Sequence, residues 1–329
     1  RTGKYGGALE NRMRFGLNIL QRIRAKVGPD FPIIWRASAM EVLPDGLTFD
    51  EVKRFCKVLE DQGADCIHMT CGGYGFKNVL QHVQPNSFKP GPLVHYTEEM
   101  KKEKTVNLPL ITVGKINDPF LAAEIIEQGK ADFVAIGRGI IADPDFPRKM
   151  LEGRPEEIRK CICCTFCLDF IFMDHVIRCS GTPYVGRECE NLEIVKTEKP
   201  KKVLVVGGGP AGMEAARVCA LRGHYVDLYD SESEIGGKQL KLACTPPHKE
   251  DMKHIAAYYA VQLKKLNVKL NLGVTVTKPM VEDADPDVVI VATGAKAILP
   301  DIPGVENKHV VTAWDVLEGK AEVSDSAVI

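Results

Sequence analysis

The chain has 329 residues, 45% of them hydrophobic, with 43 basic and 44 acidic side chains and a formal net charge of -1. This balance gives no electrostatic reason to expect nucleic acid or an anionic membrane as a partner, and no apolar run approaches the roughly 18 residues of a membrane helix. The length exceeds that of one ordinary hydrophobic core, so we expect two or more domains. We also expect a cytoplasmic location.

Residues 1–155 alternate predicted strands with predicted helices. Strands are expected at 32–37, 64–70, 108–113 and 131–136, and helices at 10–27, 49–62, 97–104, 119–128 and 145–151. Short apolar strands separated by helices are typical of parallel βα units in an α/β fold. Four such units make half of an eight-stranded barrel and leave open sheet edges. We therefore predict the C-terminal half of a (β/α)8 TIM barrel, in a chain that is a piece of a longer protein.

A glycine followed by a cation ends each of the last two predicted strands: Gly114 with Lys115, and Gly137 with Arg138. On such barrels this is the usual place for a phosphate, so backbone amides with Arg138 could hold an FMN phosphate; a surface arginine beside a glycine turn is the alternative. Arg36, inside the apolar first strand, is either paired internally or faces a flavin ring. Two residues near the same C-terminal end of the predicted strands are better interpreted as packing residues than as catalysts: His68 and Tyr74.

Residues 156–192 form a cysteine-rich segment. Four of its six cysteines follow the spacing C-x2-C-x2-C-x11-C: Cys161, Cys164, Cys167 and Cys179. Three thiolates at steps of three residues, with a fourth further along, are typical of ligands to a [4Fe-4S] cluster. Structural zinc more often uses two separated CxxC pairs, and the second pair is missing here, so zinc and uncoordinated thiols are the less favoured alternatives. Cys163, a fifth thiol inside the loop, is interpreted as a small filler, and His175 as a solvated side chain.

A short charged linker, 193–202, precedes a predicted Rossmann-like domain at 203–329. The turn GGGPAG lies between a predicted strand and a predicted helix and places Gly207, Gly209 and Gly212 in the pattern G-x-G-x-x-G. In that context the first glycine permits a tight turn, the second lets the backbone approach a pyrophosphate, and the third allows close helix–strand packing. Asp230 closes the next strand, where a carboxylate would bind ribose hydroxyls. The motif alone does not separate FAD from NAD(P).

Several further motifs resemble, in order, the multi-cofactor branch of the old yellow enzyme (NADH:flavin oxidoreductase) family. They are YGGALENRMRF, ITVGKINDP, FVAIGRGIIADPDFPRKMLEG, CICCTFCLDFIF, VLVVGGGPAGMEAA, SEIGGKQLKLA and VVIVATGAKAILPDIPG. That branch includes 2-enoate reductases, bacterial 2,4-dienoyl-CoA reductase, bile-acid-pathway oxidoreductases and trimethylamine dehydrogenase. The resemblance extends over nearly the whole chain.

The resemblance implies an FMN-bearing barrel, a [4Fe-4S] cluster and a domain that holds FAD or ADP. It assigns to FMN the residues Arg36, Gly114, Lys115, Gly137 and Arg138. It makes cluster ligands of Cys161, Cys164, Cys167 and Cys179. It assigns to the dinucleotide Gly207, Gly209, Gly212 and Asp230, with Gly237, Thr293 and Gly294 near the same cofactor. The implied reaction passes hydride from NAD(P)H to FAD, single electrons through the cluster to FMN, and hydride from FMN to an activated C=C bond.

The sequence also departs from the family pattern. Cys163 stands where the family commonly has glycine, and TCGGYGFKN lacks the catalytic histidine of dienoyl-CoA reductases. The family's tyrosine proton donor is expected upstream of Arg1 and the nicotinamide-binding half beyond Ile329, so no catalytic acid is assigned. We expect a small unsaturated substrate, no nucleic-acid or membrane partner, and an assembly compatible with a homo-oligomer. An amine dehydrogenase and a non-catalytic zinc-containing subunit are the alternative functions.

Overall fold

A computed structural model describes residues 3–73, 75, 79–190, 192–323 and 326–327. The chain divides into two compact units, residues 1–144 with 163–165, and residues 145–162 with 166–329. Both are built from parallel strands and helices, which confirms the predicted α/β class. Within the described ranges, no helix combines the length and the apolar character needed to span a bilayer.

The first unit contains four parallel strands in the order β1-β2-β3-β4, with helices between them. Its strands are β1 Ile34–Ser38, β2 Cys66–Thr70, β3 Leu110–Val113 and β4 Phe133–Ala135. Its helices are α1 Leu9–Val27, α2 Phe49–Asp61, α3 Val79–His82, α4 Val94–Glu103, α5 Pro119–Glu127 and α6 Arg138–Ala142. Consecutive strands that pair in chain order are the arrangement of a (β/α)8 barrel wall, as predicted.

Helix α2 shows how local sequence directs this unit. Thr48 caps its start, because the Thr48 hydroxyl accepts from the Glu51 amide and the Glu51 carboxylate accepts from the Thr48 amide. This reciprocal capping box satisfies two amides that the helix itself leaves unpaired. Val52, Cys56 and Leu59 then recur at helical spacing and are all buried in the core of the unit.

An aspartate directly before a strand aligns neighbouring strands at three places. The Asp65 carboxylate accepts from the Ile33 amide at 2.7 Å, and the Asp132 carboxylate accepts from the Leu110 amide at 2.8 Å. Asp287 repeats the arrangement in the second unit. The hydrogen bond from the Ile33 amide lowers the pKa of Asp65, so the carboxylate that fixes the strand start stays ionised near neutral pH. Alignment of the strand starts brings their C-terminal ends to one edge.

The second unit contains a parallel sheet in the order β7-β6-β5-β8. Its strands are β5 Lys202–Val206, β6 Tyr225–Asp230, β7 Lys269–Leu272 and β8 Val288–Val291. Its helices are α7 Phe146–Leu151, α8 Phe166–Phe172, α9 Pro210–Leu221, α10 Gly237–Ala243, α11 Lys253–Lys265, α12 Lys278–Ala284 and α13 Ala313–Leu317, with 3-10 turns at Pro155–Glu157 and Glu250–Met252. The first strand in chain order lies inside the sheet, as in dinucleotide-binding folds, where the ligand site lies at the reversal of strand order.

The structure differs from the sequence expectations mainly in short helices. The structure contains helices of four to seven residues for which no helix was predicted: α3, α6, α8, α10, α12 and α13. Such helices complete too few turns to show a 3.6-residue hydrophobic period. The helix predicted after GGGPAG, α9, begins inside that motif at Pro210, because proline is well accommodated at the first helical position.

Candidate functional site

The turn between β5 and α9 is built on glycines that cannot carry a side chain. Gly207 has φ +111°, in the left-handed region, and a Cβ there would collide with the carbonyl oxygen of Ala292. A Cβ on Gly212 would collide with the carbonyl oxygen of Gly207. Gly207 therefore permits the tight turn, and Gly212 lets α9 pack directly against it.

Gly209 differs from these two, because the protein itself leaves room for a side chain there. Its φ is -71°, and a Cβ would meet no protein atom closer than the Gly236 carbonyl oxygen at 4.0 Å. The open space lies at the N-terminus of the twelve-residue helix α9, which has no side-chain cap. Exposed amides at a helix start favour anions, so the geometry fits the close approach of a pyrophosphate.

Asp230, at the end of β6, is only 8% exposed. One carboxylate oxygen accepts from the Gly208 amide, and the other accepts from the Glu232 amide at 2.7 Å. A carboxylate offers about four acceptor positions, so capacity remains for ribose hydroxyls. Its role in ribose binding stays a prediction, and its bonds to the glycine turn are a second function that the sequence did not reveal.

A cavity of about 900 Å³ lies along the C-terminal ends of the four strands of the second sheet. The volume is within the range of small-molecule and cofactor sites. The cavity brings together six of the seven residues predicted for the dinucleotide: Gly207, Gly209, Asp230, Gly237, Thr293 and Gly294. Gly212 packs beneath the turn instead. Helices α10 and α13 add lining residues that the sequence did not indicate: Lys238, Trp314 and Glu318.

In the first unit, the residues after β3 form a tight, buried turn. Gly114 has φ +118°, and a Cβ on it would lie 3.0 Å from Cγ of Leu93. The Lys115 side chain is 7% exposed and its ammonium donates to the carbonyl oxygens of Phe88 and Asn86, the latter at 3.0 Å. The Lys115 side chain therefore holds the loop before α4, and a cofactor contact by this residue would use its backbone.

Arg138, the first residue of α6 and three positions after the end of β4, is half-buried and only partly paired among the described residues. Its Nη2 donates to the Gln84 carbonyl oxygen at 2.6 Å, while its Nη1 is buried with no hydrogen-bond partner among the described residues. A buried donor without a partner costs about 1–3 kcal/mol, so an anion placed here would be stabilised. A Cβ on the adjacent Gly137 would meet nothing within 4 Å. An unpaired guanidinium nitrogen on the residue that follows an unobstructed glycine is compatible with an FMN phosphate site. Gln84, 1% exposed in a loop, is a site residue that sequence reasoning missed, because no motif or periodicity marks its position.

Arg36 and His68 are register partners on β1 and β2, so their side chains share one face of the sheet. No described carboxylate pairs with the exposed Arg36, which leaves the predicted internal pairing without a partner. Burial and the Arg36 charge lower the pKa of His68, and its Nε2 is buried with no hydrogen-bond partner among the described residues. This face therefore presents a cation beside a neutral imidazole. Tyr74 lies outside the described residues.

The four predicted cluster cysteines are divided between the units, with Cys164 in the first and Cys161, Cys167 and Cys179 in the second. Among the residues that the structure describes, no three His, Cys, Asp or Glu side chains are grouped to hold a metal ion. The cluster therefore stays a prediction from the spacing. The Gly181 amide donates to Cys179 Sγ at 3.4 Å.

Cys163 is 1% exposed and accepts a hydrogen bond from Asn117 Nδ2 at 3.6 Å. Its φ of +52° lies in the left-handed region, where glycine is the residue with least strain. This backbone conformation gives a physical reason for the glycine that the family commonly has at this position. The burial agrees with the interpretation of Cys163 as a packing residue.

Comparison with known proteins gives two consecutive matches. Residues 1–157 match the NADH:flavin oxidoreductase / NADH oxidase family, and residues 201–327 match the pyridine nucleotide-disulphide oxidoreductase family. The chain is 44% identical to an NADH oxidase of Thermoanaerobacter brockii, over 97% of this chain and 49% of that protein. It is 37% identical to an N,N-dimethylglycine/sarcosine dehydrogenase of Chromohalobacter salexigens, over 100% of this chain and 49% of that protein.

The fold is also that of a solved enzyme. A structure of 2-naphthoyl-CoA reductase in complex with 2-naphthoyl-CoA superposes with a TM-score of 0.92 at 35% identity, over 99% of this chain and 49% of that one. The chain thus spans about half the length of the relatives it matches. Both family matches occur in the order that the motifs predicted, and the chain belongs to the old yellow enzyme-like family of NADH:flavin oxidoreductases.

Proposed function

We propose that this chain is part of an NAD(P)H-dependent flavin oxidoreductase that reduces an activated C=C bond in a 2-enoate, an enoyl- or dienoyl-CoA thioester or a related small molecule. The observation that carries the proposal is the presence of two separate cofactor environments in one chain. The first unit offers an unpaired, buried Arg138 nitrogen beside the open Gly137. The second offers the cavity at Gly209. The similarity to an NADH oxidase and to a CoA-thioester reductase supports the direction of the reaction.

Each proposed cofactor has residues suited to hold it. In the first unit, Arg138 and the amides near Gly114 and Gly137 would bind the FMN phosphate, and Arg36 would lie beside the flavin ring. In the second, the start of α9 would bind the FAD pyrophosphate and Asp230 the ribose. When bound, the flavins supply hydride transfer and a [4Fe-4S] cluster on Cys161, Cys164, Cys167 and Cys179 supplies single-electron transfer. The proposed setting is cytoplasmic, with a homo-oligomeric assembly and without nucleic-acid or membrane partners.

Turnover by the full-length protein, purified without oxygen, tests the proposal. We expect NADH or NADPH oxidation that depends on an α,β-unsaturated acid or CoA thioester and yields the saturated product. The second candidate, an amine dehydrogenase, is favoured by the similarity to N,N-dimethylglycine/sarcosine dehydrogenase. Flavin reduction by a methylated amine, with no alkene turnover, would replace the first proposal by the second.

Arg138→Met in the full-length protein is expected to weaken FMN binding about 10- to 100-fold. The reason is that the substitution removes a charge-assisted hydrogen bond of about 1.5–3 kcal/mol from the proposed phosphate site. The measurement is the FMN dissociation constant, from flavin fluorescence on titration of the flavin-free protein. Arg148→Met is the control, because Arg148 is 64% exposed and forms an ion pair with Asp145 of its own helix start, the one ion pair it makes among the described residues. Equal FMN affinity in both variants would remove Arg138 from the site.

A further inference from the structure

Arg159, two residues before Cys161, connects distant parts of the second unit. Its Nη1 donates to the carbonyl oxygen of Gly181, and its Nη2 donates to the Tyr258 hydroxyl at 3.1 Å. The guanidinium carbon lies 4.3 Å from the ring centroid of Tyr258 and 5.8 Å from that of Tyr259. One side chain therefore holds the start of the cysteine-rich segment and the residues after Cys179 against helix α11.

The contact with Gly181 reaches a cysteine sulfur in one further step. The same Gly181 whose carbonyl accepts from Arg159 donates its amide to Cys179 Sγ at 3.4 Å. A Cβ on Gly181 would lie 3.7 Å from that sulfur, which shows how closely the backbone passes it. Gly181 thus points its amide at Cys179 Sγ while its carbonyl oxygen is held by Arg159. The orientation of the amide toward the sulfur therefore depends on Arg159.

Helix α11 is itself fixed to the helix that begins at the glycine turn. Tyr259 donates its hydroxyl to Glu214 at 3.0 Å, and Glu214 forms two 2.7 Å hydrogen bonds with Arg217 on α9. Arg217 is 7% exposed. Burial alone would raise the pKa of Glu214, but the hydrogen bonds and charge of Arg217 lower it overall, so Glu214 stays ionised.

We propose that Arg159 is a positioning residue for a metal–sulfur centre at Cys179. It holds Gly181 so that the amide donates to the ligand sulfur, and it contributes positive charge on that side of the segment. Hydrogen bonds to ligand sulfurs and nearby charge set the reduction potential of iron–sulfur clusters. One-electron reduction adds a negative charge to the cluster and breaks no bond, so both effects stabilise the reduced form and raise the potential. The inference rests on the proposed function, since it requires the cluster.

The experiment uses the full-length protein prepared without oxygen, with dithionite as the reductant. The cluster potential is read from a redox titration followed by electron paramagnetic resonance, beside iron and sulfide analysis. Arg159→Met is expected to disfavour the reduced cluster about tenfold, which corresponds to about 59 mV for one electron. Arg159→Lys retains the charge but not the planar fork, so a smaller shift is expected. Tyr258→Phe, which removes only the hydroxyl acceptor of Arg159, is expected to shift the potential in the same direction and by less.

Arg178→Met is the matched control, because it removes a cation from the same segment without touching Gly181. Its guanidinium lies 3.5 Å from the Gly186 carbonyl oxygen. An unchanged potential in Arg159→Met, or an equal shift in Arg178→Met, would overturn the positioning role. If Arg159→Met holds no cluster, unchanged potentials in both Arg159→Lys and Tyr258→Phe would overturn it. Absence of iron and sulfide from the unsubstituted protein would instead contradict the proposed function.

Discussion

Gly212→Ala is expected to destabilise the second unit by about 3 kcal/mol, the upper end of the usual cost of overpacking, whereas Gly209→Ala is expected to leave it folded and weaken its binding of FAD. The two glycines belong to one turn but meet different surroundings. A Cβ on Gly212 would collide with the Gly207 carbonyl oxygen, and backbone in a tight turn cannot move away as a flexible side chain can. A Cβ on Gly209 meets no protein atom closer than 4.0 Å, so it would occupy only the space proposed for the pyrophosphate.

Thermal unfolding and FAD content, both measured on the full-length protein, separate the two effects. Gly209→Ala should unfold within a few degrees of the unsubstituted protein and bind FAD about 100-fold more weakly, which corresponds to about 2.7 kcal/mol. Gly212→Ala should unfold at a clearly lower temperature than the unsubstituted protein even when both are measured without FAD. Normal FAD affinity in Gly209→Ala would show that the dinucleotide does not approach this part of the turn.

The loss of any one of the four spaced cysteines is the second large effect that we expect. Cys161→Ala or Cys179→Ala should abolish stoichiometric iron and acid-labile sulfide in the full-length protein, because a [4Fe-4S] cluster requires a thiolate at each iron. The measurement is iron and sulfide content after purification without oxygen, with the visible absorbance of the cluster as a second reading.

Cys163→Ala is the control that the chain itself offers. Cys163 lies within the same loop but is 1% exposed and accepts from Asn117, and it is not part of the spacing pattern. This variant should keep its iron and sulfide, with a small loss of stability from the removed sulfur. Zinc without sulfide in the unsubstituted protein would support the alternative of a structural zinc site. Loss of iron from Cys163→Ala alone would mean that the spacing had been assigned to the wrong thiols.

The contacts of Arg159 would link the proposed cluster ligands to the proposed dinucleotide site within the second unit. Glu214 and Arg217 lie one to two turns into α9, and the cavity-facing glycine turn lies at the start of the same helix. Through Tyr259 on α11, the helix that would receive the dinucleotide is thus fixed to the segment that carries the proposed cluster ligands.

The strands, the longer helices and the glycine turn could be predicted from the amino-acid sequence alone. These features depend on residues close together in the chain: a run of apolar residues for β8, a capping box for α2, and three glycines at fixed spacing after β5. Backbone sterics act over a few residues, so the positive φ of Gly207 and the close packing of Gly212 on Gly207 follow from the turn itself, whereas the contact of Gly207 with Ala292 depends on the tertiary fold.

The contacts between distant side chains, in contrast, became known from the folded chain. Gln84 binds Arg138 across 54 positions of the chain, and Arg159 binds Tyr258 across 99. No periodicity encodes such pairs, because a hydrogen bond depends on distance in space and on the donors that burial leaves unpaired. The same reason explains why Lys115, predicted at a phosphate site, has its ammonium bound to a loop, and why α13 supplies a wall of the cavity. Sequence spacing thus specified the local backbone, and folding decided the partners of each charged group.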